Sequence, residues 1–354
     1  MHKKSGKEKW KNVAQYIVKT VQSDYAIIYM DFRKDVDLLV DSIKEAGIQD
    51  VKAFHGSLSS EVKKEIDSAF RFKKFQVLVA TEAYEVGTHS PHVNLILRIG
   101  CMRNIAVIVQ EFGRAGRNND SSDGVLLVNE HVDDQRLIYW TKNCSPEEME
   151  FKKRECEKSW KWIYGWKAGS CLRRCLLENF EDAEVIEQST SGECCSSCDV
   201  EVERNFNIRD TASMMIKALK ELITIPQVKD VNEDKLISWL RGSKRDWLSS
   251  QEIQTFIDSS ETHGQGQFLE NQILSKEWWF IHLRQMLHLN LININFKITT
   301  GLQFARAYRT YVISDEGENF LKTPRCIQVL PPSAVHSRPT RKCAKKTRLD
   351  KWKK

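Results

Sequence analysis

Two arginines three residues apart are the clearest chemical feature of this sequence. Arg114 and Arg117 close the run QEFGRAGR at residues 110–117, where two glycines let the backbone bend tightly around them. A guanidinium stays charged and meets phosphate oxygens with a planar fork of donors. Two such forks on one turn suit the stabilisation of charge on a transferring phosphoryl group. The alternative is a helix start that carries two solvated arginines.

Cysteine spacing is the second chemical feature. Three cysteines within five residues and a fourth one upstream predict a tetrahedral Zn²⁺ site, formed by Cys171, Cys194, Cys195 and Cys198. A cluster of reduced surface cysteines is the alternative. Cys175 or Glu201 could also replace Cys194 as a ligand. Because all ligand positions are filled, we expect a structural ion and not a catalytic one.

The elements that must position the arginines alternate between strands and helices. Apolar runs of strand length occur at residues 25–30, 51–54, 76–80, 95–99 and 124–129. Helical spacing of apolar residues lies between them, for example from Val36 to Ile43. This alternation predicts a doubly wound parallel sheet, with ligand-binding loops at the carboxyl ends of its strands, at residues 54–58 and 80–91.

At the arginine run the sequence resembles a known family. QEFGRAGR looks like the last helicase motif of the RecQ DNA helicases, and the resemblance is close over residues 27–129. It implies a RecA-like second motor lobe in which Arg114 and Arg117 act as arginine finger. The same motif implies nucleotide contacts at Gln110, Gly113 and Gly116. The family usually has glycine, methionine and aspartate where this chain has Glu85, Val86 and His89, which puts efficient coupling of ATP hydrolysis in doubt.

The motifs of a first motor lobe do not occur in the 354 residues. A helicase of this class needs a phosphate-cradling GxxxxGK[ST] loop and an acidic motif that holds Mg²⁺. The pair Gly6 and Lys7 is a chance match, because no Ser or Thr follows it. We therefore expect no ATP hydrolysis by this chain alone. ATP and Mg²⁺ are expected only with the missing first lobe, from a separate chain or lost from a truncated gene model.

Composition bounds the class of protein. The chain is 41% hydrophobic and 29% charged, and no apolar run approaches the length of a membrane span. Its ten cysteines favour a reducing compartment with metal binding over disulfides. The net charge of +6 is uneven, since residues 322–354 hold eleven Lys or Arg against one Asp. This stretch predicts a basic, disordered tail for nuclear targeting or phosphate binding, or one that merely solubilises.

The middle region predicts a helical platform around the zinc site. A helix start at Ser145 leads towards Tyr164, with Trp160, Trp162 and Trp166 near its end. These tryptophans favour a packed aromatic cluster over base stacking. The cysteine pattern resembles the RecQ zinc domain in its Werner-type form, which implies a structural zinc that folds the platform against the motor lobe.

The last folded region has the outline of a winged helix. Helical patterns at residues 212–222, 233–240 and 251–257 precede a longer helix after Ser275 and two strand-like runs at 291–298 and 304–313. The order resembles the C-terminal domain of Werner-type RecQ helicases. That resemblance implies DNA phosphate contacts at Arg241 and Ser243. It also implies a hairpin wedge that stacks an aromatic on the end base pair, for which Phe304 and Tyr308 are the candidates.

The whole sequence therefore predicts an α/β lobe followed by α+β regions. The expected domains are a RecA-like helicase lobe at 1–143, a zinc platform at 144–205, a winged helix at 206–322 and a tail at 323–354. We expect the C-terminal portion of a RecQ-type 3′–5′ DNA helicase of repair and recombination. Expected partners are forked, single-stranded or junction DNA, with no membrane. The nucleus is the expected location, with the cytoplasm second. The alternative is a non-catalytic module that binds DNA junctions.

Overall fold

The computed structural model describes two compact units. The described residues are 6–22, 24–84, 92–101, 103–117, 121–182, 184, 186–187, 194–198, 206–243, 248, 251–269, 272–273, 275–300 and 305–337. The first unit contains the described residues up to Asp133, with Glu187 and Cys194. The second contains Asp134–Ile186 and the described residues from Cys195 onward. None of the helices in these ranges combines the length and hydropathy that crossing a membrane requires.

A five-stranded parallel sheet is the centre of the first unit. The strands are β1 Ala26–Tyr29, β2 Val51–Phe54, β3 Val77–Ala80, β4 Leu95–Ile99 and β5 Asp123–Leu127. Their order is β2-β3-β1-β4-β5, and every neighbouring pair is parallel. The sheet confirms the predicted doubly wound lobe, since each parallel step needs a crossover helix.

Helices cover both faces of this sheet. They are α1 Gly6–Val21, α2 Arg33–Glu45, α3 Ser60–Arg71 and α4 Ile105–Phe112, with a 3₁₀ turn at Glu82–Tyr84. Ile28 points to the core under α1 and α2, whereas Ile27 points to the core under α3. The strands therefore read as continuous apolar runs, because both of their faces are buried. Helix α1 was not predicted from the sequence, and it buries Trp10, Ala14, Ile17 and Val21.

One long helix organises the first part of the second unit. Short helices α5 Glu130–Asp134 and α6 Arg136–Trp140 lead to α7 Pro146–Ala168, and α8 Leu172–Leu177 follows. A reciprocal capping box between Ser145 and Glu148 begins α7, with Pro146 at its first position. Gly169, at φ 79°, ends it in the left-handed conformation that favours glycine.

Helices and a hairpin form the remainder of the second unit. The helices are α9 Arg209–Thr224, α10 Glu233–Leu240, α11 Gln251–Ser259, α12 Lys276–His288 and α13 Asp315–Lys322. Short strands β6 Phe206–Asn207, β7 Phe268–Leu269 and β8 Gln272–Ile273 precede the hairpin, which pairs β9 Ile292–Thr300 with β10 Ala305–Ile313. This arrangement follows the predicted winged-helix outline. The domain boundaries within this unit remain predictions.

The predicted disordered tail is ordered in its first part. Strand Gln328–Val329 pairs antiparallel with Phe206–Asn207, and helix Pro332–Ser337 follows it. Leu330 and Val335 are buried against Ile281 of α12. Apolar burial thus orders residues 328–337 despite the paired prolines Pro331 and Pro332, while residues 338–354 lie outside the described ranges.

Candidate nucleic-acid and zinc sites

The predicted arginine motif forms a tight turn after α4. Gly116 has φ 68°, a conformation that favours glycine, and its amide donates a hydrogen bond to the Val93 carbonyl (3.0 Å). Arg114 and Arg117 are both half-buried, and Nε of Arg117 donates to the carbonyl of Gly113 (3.5 Å). The turn therefore carries both arginines in one short segment, which is held beside Val93 two residues before β4. Gln110 is exposed on the last turn of α4, and Gly113 ends that helix.

A buried ionic cluster beside this motif was missed by the sequence analysis. Arg98 on β4 donates from Nη1 to Oε1 of Glu111 (2.7 Å) and from Nη2 to Asp31. Burial alone would lower the pKa of Arg98, but the charges of Asp31 and Glu111 outweigh it and raise that pKa. An arginine inside the apolar strand LILRI was the available signal. Glu111, fully buried, thereby anchors α4 directly before the arginines.

At the carboxyl edge of the sheet, His55 contacts two polar side chains. His55 follows β2 and is buried, with Nε2 3.2 Å from Oδ1 of Asp37 and Nδ1 2.9 Å from Oγ of Ser57. His55 and Ser57 lie in the predicted ligand-binding loop at 54–58. Glu85, Val86 and His89 lie outside the described residues.

Four thiols converge in the predicted zinc segment. The sulfur atoms of Cys171, Cys194, Cys195 and Cys198 all lie within 4.8 Å of one another. Cys195 Sγ is 4.0 Å from Cys171 Sγ and 3.7 Å from Cys198 Sγ. Tetrahedral Zn–S bonds of about 2.3 Å put ligand sulfurs about 3.8 Å apart. The donor set and its spacing therefore fit a structural Zn²⁺ ion.

Local structure sets these thiols in place. Cys171 is the N-cap of α8, and its Sγ accepts from the Arg174 amide (3.3 Å). The Cys198 amide donates to the Cys195 carbonyl (2.8 Å), which closes the tight turn of the CxxC. Burial and the neighbouring thiols raise the pKa of Cys198 to about 12. Four thiolates at this spacing need a cation, as a metal site supplies.

The two alternative ligands are placed differently. Cys175 lies one turn further along α8, and burial first, then Glu178 and the thiols of Cys171 and Cys195, raise its pKa to about 12. It does not belong to the four-thiol group that the described residues form. Glu201 lies outside the described residues.

Two glycine turns meet at the predicted phosphate contacts. Arg241 follows α10, and Gly242 at φ 58° turns the chain into Ser243. Both side chains are half-buried. Within the described ranges, the Arg241 guanidinium and the Ser243 hydroxyl have no hydrogen-bond partner. Gly264 packs against this turn, since a Cβ on Gly242 would lie 3.1 Å from the Gly264 Cα. The turns present an arginine fork and a hydroxyl, which are common phosphate donors.

Of the two candidate hairpin aromatics, Tyr308 is within the described residues. Tyr308 pairs with Lys297 in the ladder, three pairs before the last described pair of Ala305 with Thr300. Its hydroxyl donates to Oδ2 of Asp230 (3.0 Å). Burial, followed by Asp230, raises the pKa of Tyr308. Phe304 lies outside the described residues.

The tryptophans of α7 are packed rather than displayed. Trp160 is fully buried and stacks on Tyr164 at 5.6 Å between ring centroids. Trp162 is also buried, and its Nε1 donates to the Leu172 carbonyl (2.8 Å), which links α7 to the start of α8. Trp166 is partly buried against Ile281. The packed aromatic cluster that the sequence favours is thus confirmed.

Comparison with known proteins places the first unit in a family. Residues 8–119 match the helicase conserved C-terminal domain. The ATP-dependent DNA helicase RecQ of Pasteurella multocida is 27% identical over 270 residues, covering 75% of this chain and 38% of the relative. R290 of Acanthamoeba polyphaga mimivirus, named as an ATP-dependent RNA helicase, is 26% identical over 276 residues, covering 77% of this chain and 47% of the relative. This chain spans less than half the length of either relative.

Solved helicase structures are also similar. The Mycobacterium smegmatis helicase Lhr, bound to ssDNA and AMP-PNP, is 18% identical with a TM-score of 0.32, covering 52% of this chain and 27% of that chain. The sequence relationships support a helicase-related function on DNA. Together, the family match at residues 8–119 and the RecQ relatives support a RecQ-like C-terminal helicase half.

Proposed function

We propose that this chain is the C-terminal portion of a RecQ-type, ATP-dependent 3′–5′ DNA helicase that acts in repair and recombination. One observation carries the proposal: a single chain joins a helicase C-terminal domain to a four-thiol cluster and a helix-and-hairpin region. The zinc ion folds the platform. The hairpin region binds forked, single-stranded or junction DNA.

The arginine motif contributes to ATP hydrolysis across a lobe interface. Arg114 and Arg117 act as arginine finger, and Gln110, Gly113 and Gly116 contact the nucleotide. A first helicase lobe, in the same protein or in a separate chain, holds ATP and Mg²⁺. Support comes from the tight turn that carries both arginines and from the buried anchor at Glu111 directly before it. Fixed cations of this kind stabilise charge that develops on the transferred phosphoryl group.

DNA contacts lie in the second unit. Arg241 and Ser243 bind the DNA backbone, and Phe304 is the favoured hairpin aromatic for stacking on the end base pair. Tyr308 is the second candidate, but its hydroxyl is engaged by Asp230. The basic segment at 338–354 directs the protein to the nucleus, with the cytoplasm as a second location.

DNA binding by the purified chain tests this proposal. Fluorescence anisotropy on forked, single-stranded and blunt duplex DNA across a salt series should show fork preference and a steep salt dependence. Zinc analysis of the same sample should give about one ion per chain. Loss of all DNA binding at low salt, with zinc bound, would contradict the proposal. With a first helicase lobe supplied, Arg114→Ala should lower ATP hydrolysis by about 10³-fold or more and leave DNA affinity unchanged.

A second candidate function is a DNA-junction-binding module without hydrolysis. It is favoured because the candidate DNA contacts and the hairpin lie in one compact unit, apart from the arginine motif. The two candidates differ in one measurement. The helicase portion stimulates ATP hydrolysis by an added first lobe in the presence of DNA, whereas the module binds forks and stimulates none.

A further inference from the structure

A carboxylate lies behind the proposed DNA-phosphate contacts. Glu221 is half-buried on α9, and its Oε2 accepts from Ser260 Oγ (2.6 Å), from Trp239 Nε1 (3.2 Å) and from the Thr262 hydroxyl. Its Oε1 accepts from the Glu261 amide (3.1 Å). One side chain therefore gathers four donors, three of them from the turn at 260–262.

These hydrogen bonds fix the turn that precedes Gly264. The Ser260 hydroxyl accepts in turn from the amides of Thr262 (3.0 Å) and His263 (2.8 Å). Burial alone would raise the pKa of Glu221, but the hydrogen bonds from Ser260, Thr262 and Trp239 outweigh it and lower that pKa. The carboxylate is thus charged and fully used as an acceptor.

The fixed turn is joined to the one that carries Arg241. The Trp239 carbonyl accepts from the amides of both Gly242 and Gly264, each at 3.0 Å. The two glycines are in close contact, and a side chain on Gly242 would meet the Gly264 backbone. A displacement of the 260–264 turn therefore displaces the Arg241–Ser243 turn as well.

We propose that Glu221 is a positioning residue that holds the Arg241–Ser243 turn in its phosphate-binding geometry. The inference rests on the proposed DNA-binding function. Simple electrostatics gives the opposite expectation, since removing an acidic group near a phosphate site should strengthen DNA binding. The direction of the effect therefore separates the two explanations.

The test compares matched acid-to-amide variants of the full chain. Glu221→Gln should weaken binding to forked DNA by about tenfold, because an amide has one acceptor oxygen where the carboxylate has two, so its nitrogen must face the donors at either Oε1 or Oε2. Glu261→Gln removes the same charge from an exposed side chain in the 260–262 turn and retains the Glu261 backbone amide that donates to Glu221. It should leave affinity unchanged or increase it.

Salt dependence supplies a readout that a general loss of stability does not imitate. Arg241→Ala should reduce the slope of log K against log salt by about 0.9, the value for one phosphate contact. Glu221→Gln should reduce it by a similar amount, and the double variant should bind no more weakly than Arg241→Ala. Thr262→Val keeps the charge of Glu221 and removes one of its hydrogen-bond donors, so it should also weaken DNA binding. It replaces Glu221→Gln in the test if that variant does not fold.

The outcomes distinguish the inference from the proposed function. If Arg241→Ala weakens DNA binding but Glu221→Gln and Thr262→Val bind as tightly as the unmodified chain, the positioning role is wrong and the DNA contact stands. If the unmodified chain does not bind forked DNA, the proposed function itself fails. Additive losses in the double variant would also overturn the positioning role, because the two residues would then act independently.

Discussion

Arg309 on the hairpin and Asp134 at the end of α5 form a buried bidentate ion pair. Nε of Arg309 donates to Oδ2 of Asp134 (2.6 Å), and Nη2 donates to Oδ1 (2.7 Å). The third nitrogen donates to the Tyr164 hydroxyl, and the guanidinium lies 4.3 Å from the Trp160 ring centroid. Burial lowers the pKa of Arg309, but Tyr164 and Asp134 outweigh it and raise that pKa well above its ordinary value. The middle of the hairpin is therefore fixed to α7.

Replacing Arg309 should destabilise the second unit strongly. Arg309→Met removes the bidentate cationic partner of the buried Asp134 carboxylate, and we expect the free energy of unfolding to fall by about 3–5 kcal/mol. Urea unfolding followed by tryptophan fluorescence measures it, since Trp160 reports on this core. Lys158→Met is the matched control, because it removes the exposed pair with Glu155 and should cost less than about 1 kcal/mol. Equal losses in the two variants would show that the buried Arg309 pair contributes no more to stability than an exposed pair.

The ionic cluster beside the arginine motif should respond asymmetrically to substitution. Arg98→Met leaves the carboxylates of Asp31 and Glu111 facing each other in the interior, and we expect a loss of about 3–5 kcal/mol. Glu111→Gln leaves a balanced pair between Arg98 and Asp31, so its loss should be smaller. Because a buried carboxylate that has lost the Arg98 cation can take up a proton, the loss of stability in Arg98→Met should shrink between pH 7.5 and pH 5. Chemical unfolding at both pH values measures it, and equal losses for the two variants would contradict this account.

Local patterns in the sequence predicted the sheet but not the contacts that join distant residues. Strands such as β4 are continuous apolar runs, and the N-cap of α7 follows from the residue types Ser145, Pro146 and Glu148. The α1 helix was missed although Trp10, Ala14, Ile17 and Val21 recur at helical spacing, because the stretch around them is polar. The spacing of apolar residues therefore specifies helices and strands, even in a segment such as α1 that is polar on average.

The site residues divide in the same way. Cysteine spacing was enough to propose the four thiols, whereas the choice between Cys194 and Cys175 required three-dimensional distances. No local sequence pattern predicts the contacts of Glu221, since its partners in the 260–262 turn lie about forty residues away along the chain. Arg309 and Asp134 are separated by 175 residues. Contacts of this kind depend on tertiary packing and have no local sequence pattern.

Zinc content should follow the four-thiol cluster and not the fifth cysteine. Cys195→Ser removes the thiol that lies within 4.0 Å of both Cys171 and Cys198, and we expect bound zinc to fall from about one ion per chain towards zero. Cys175→Ser should retain the metal, because Cys175 lies outside the cluster. Metal analysis after gel filtration measures both variants. Zinc loss on Cys175→Ser with retention on Cys194→Ser would assign the fourth ligand to Cys175 instead.

A buried histidine should make the second unit sensitive to acid. Gln285 donates through Nε2 to the carbonyls of Lys167 and Leu330, each at 2.9 Å, so its Oε1 must accept from Nδ1–H of His282 (2.7 Å). The other ring nitrogen, Nε2, is then the unprotonated one. It is buried beside Phe206 and has no hydrogen-bond partner within the described residues. Burial lowers the pKa of His282 to about 4 despite the bond to Gln285.

The pH dependence of unfolding follows from that difference in pKa. The folded state resists protonation of His282, whereas the unfolded chain takes up the proton near pH 6.5. Stability is therefore complete above about pH 6.5 and falls with acidification until pH 4, by about 3 kcal/mol in total. Urea unfolding of the unmodified chain and of His282→Asn between pH 7.5 and pH 4.5 measures it. The two proteins differ only at residue 282, so the difference between the two curves isolates His282. The unmodified chain should lose stability faster, and parallel curves would show that His282 takes up its proton equally in the folded and unfolded states.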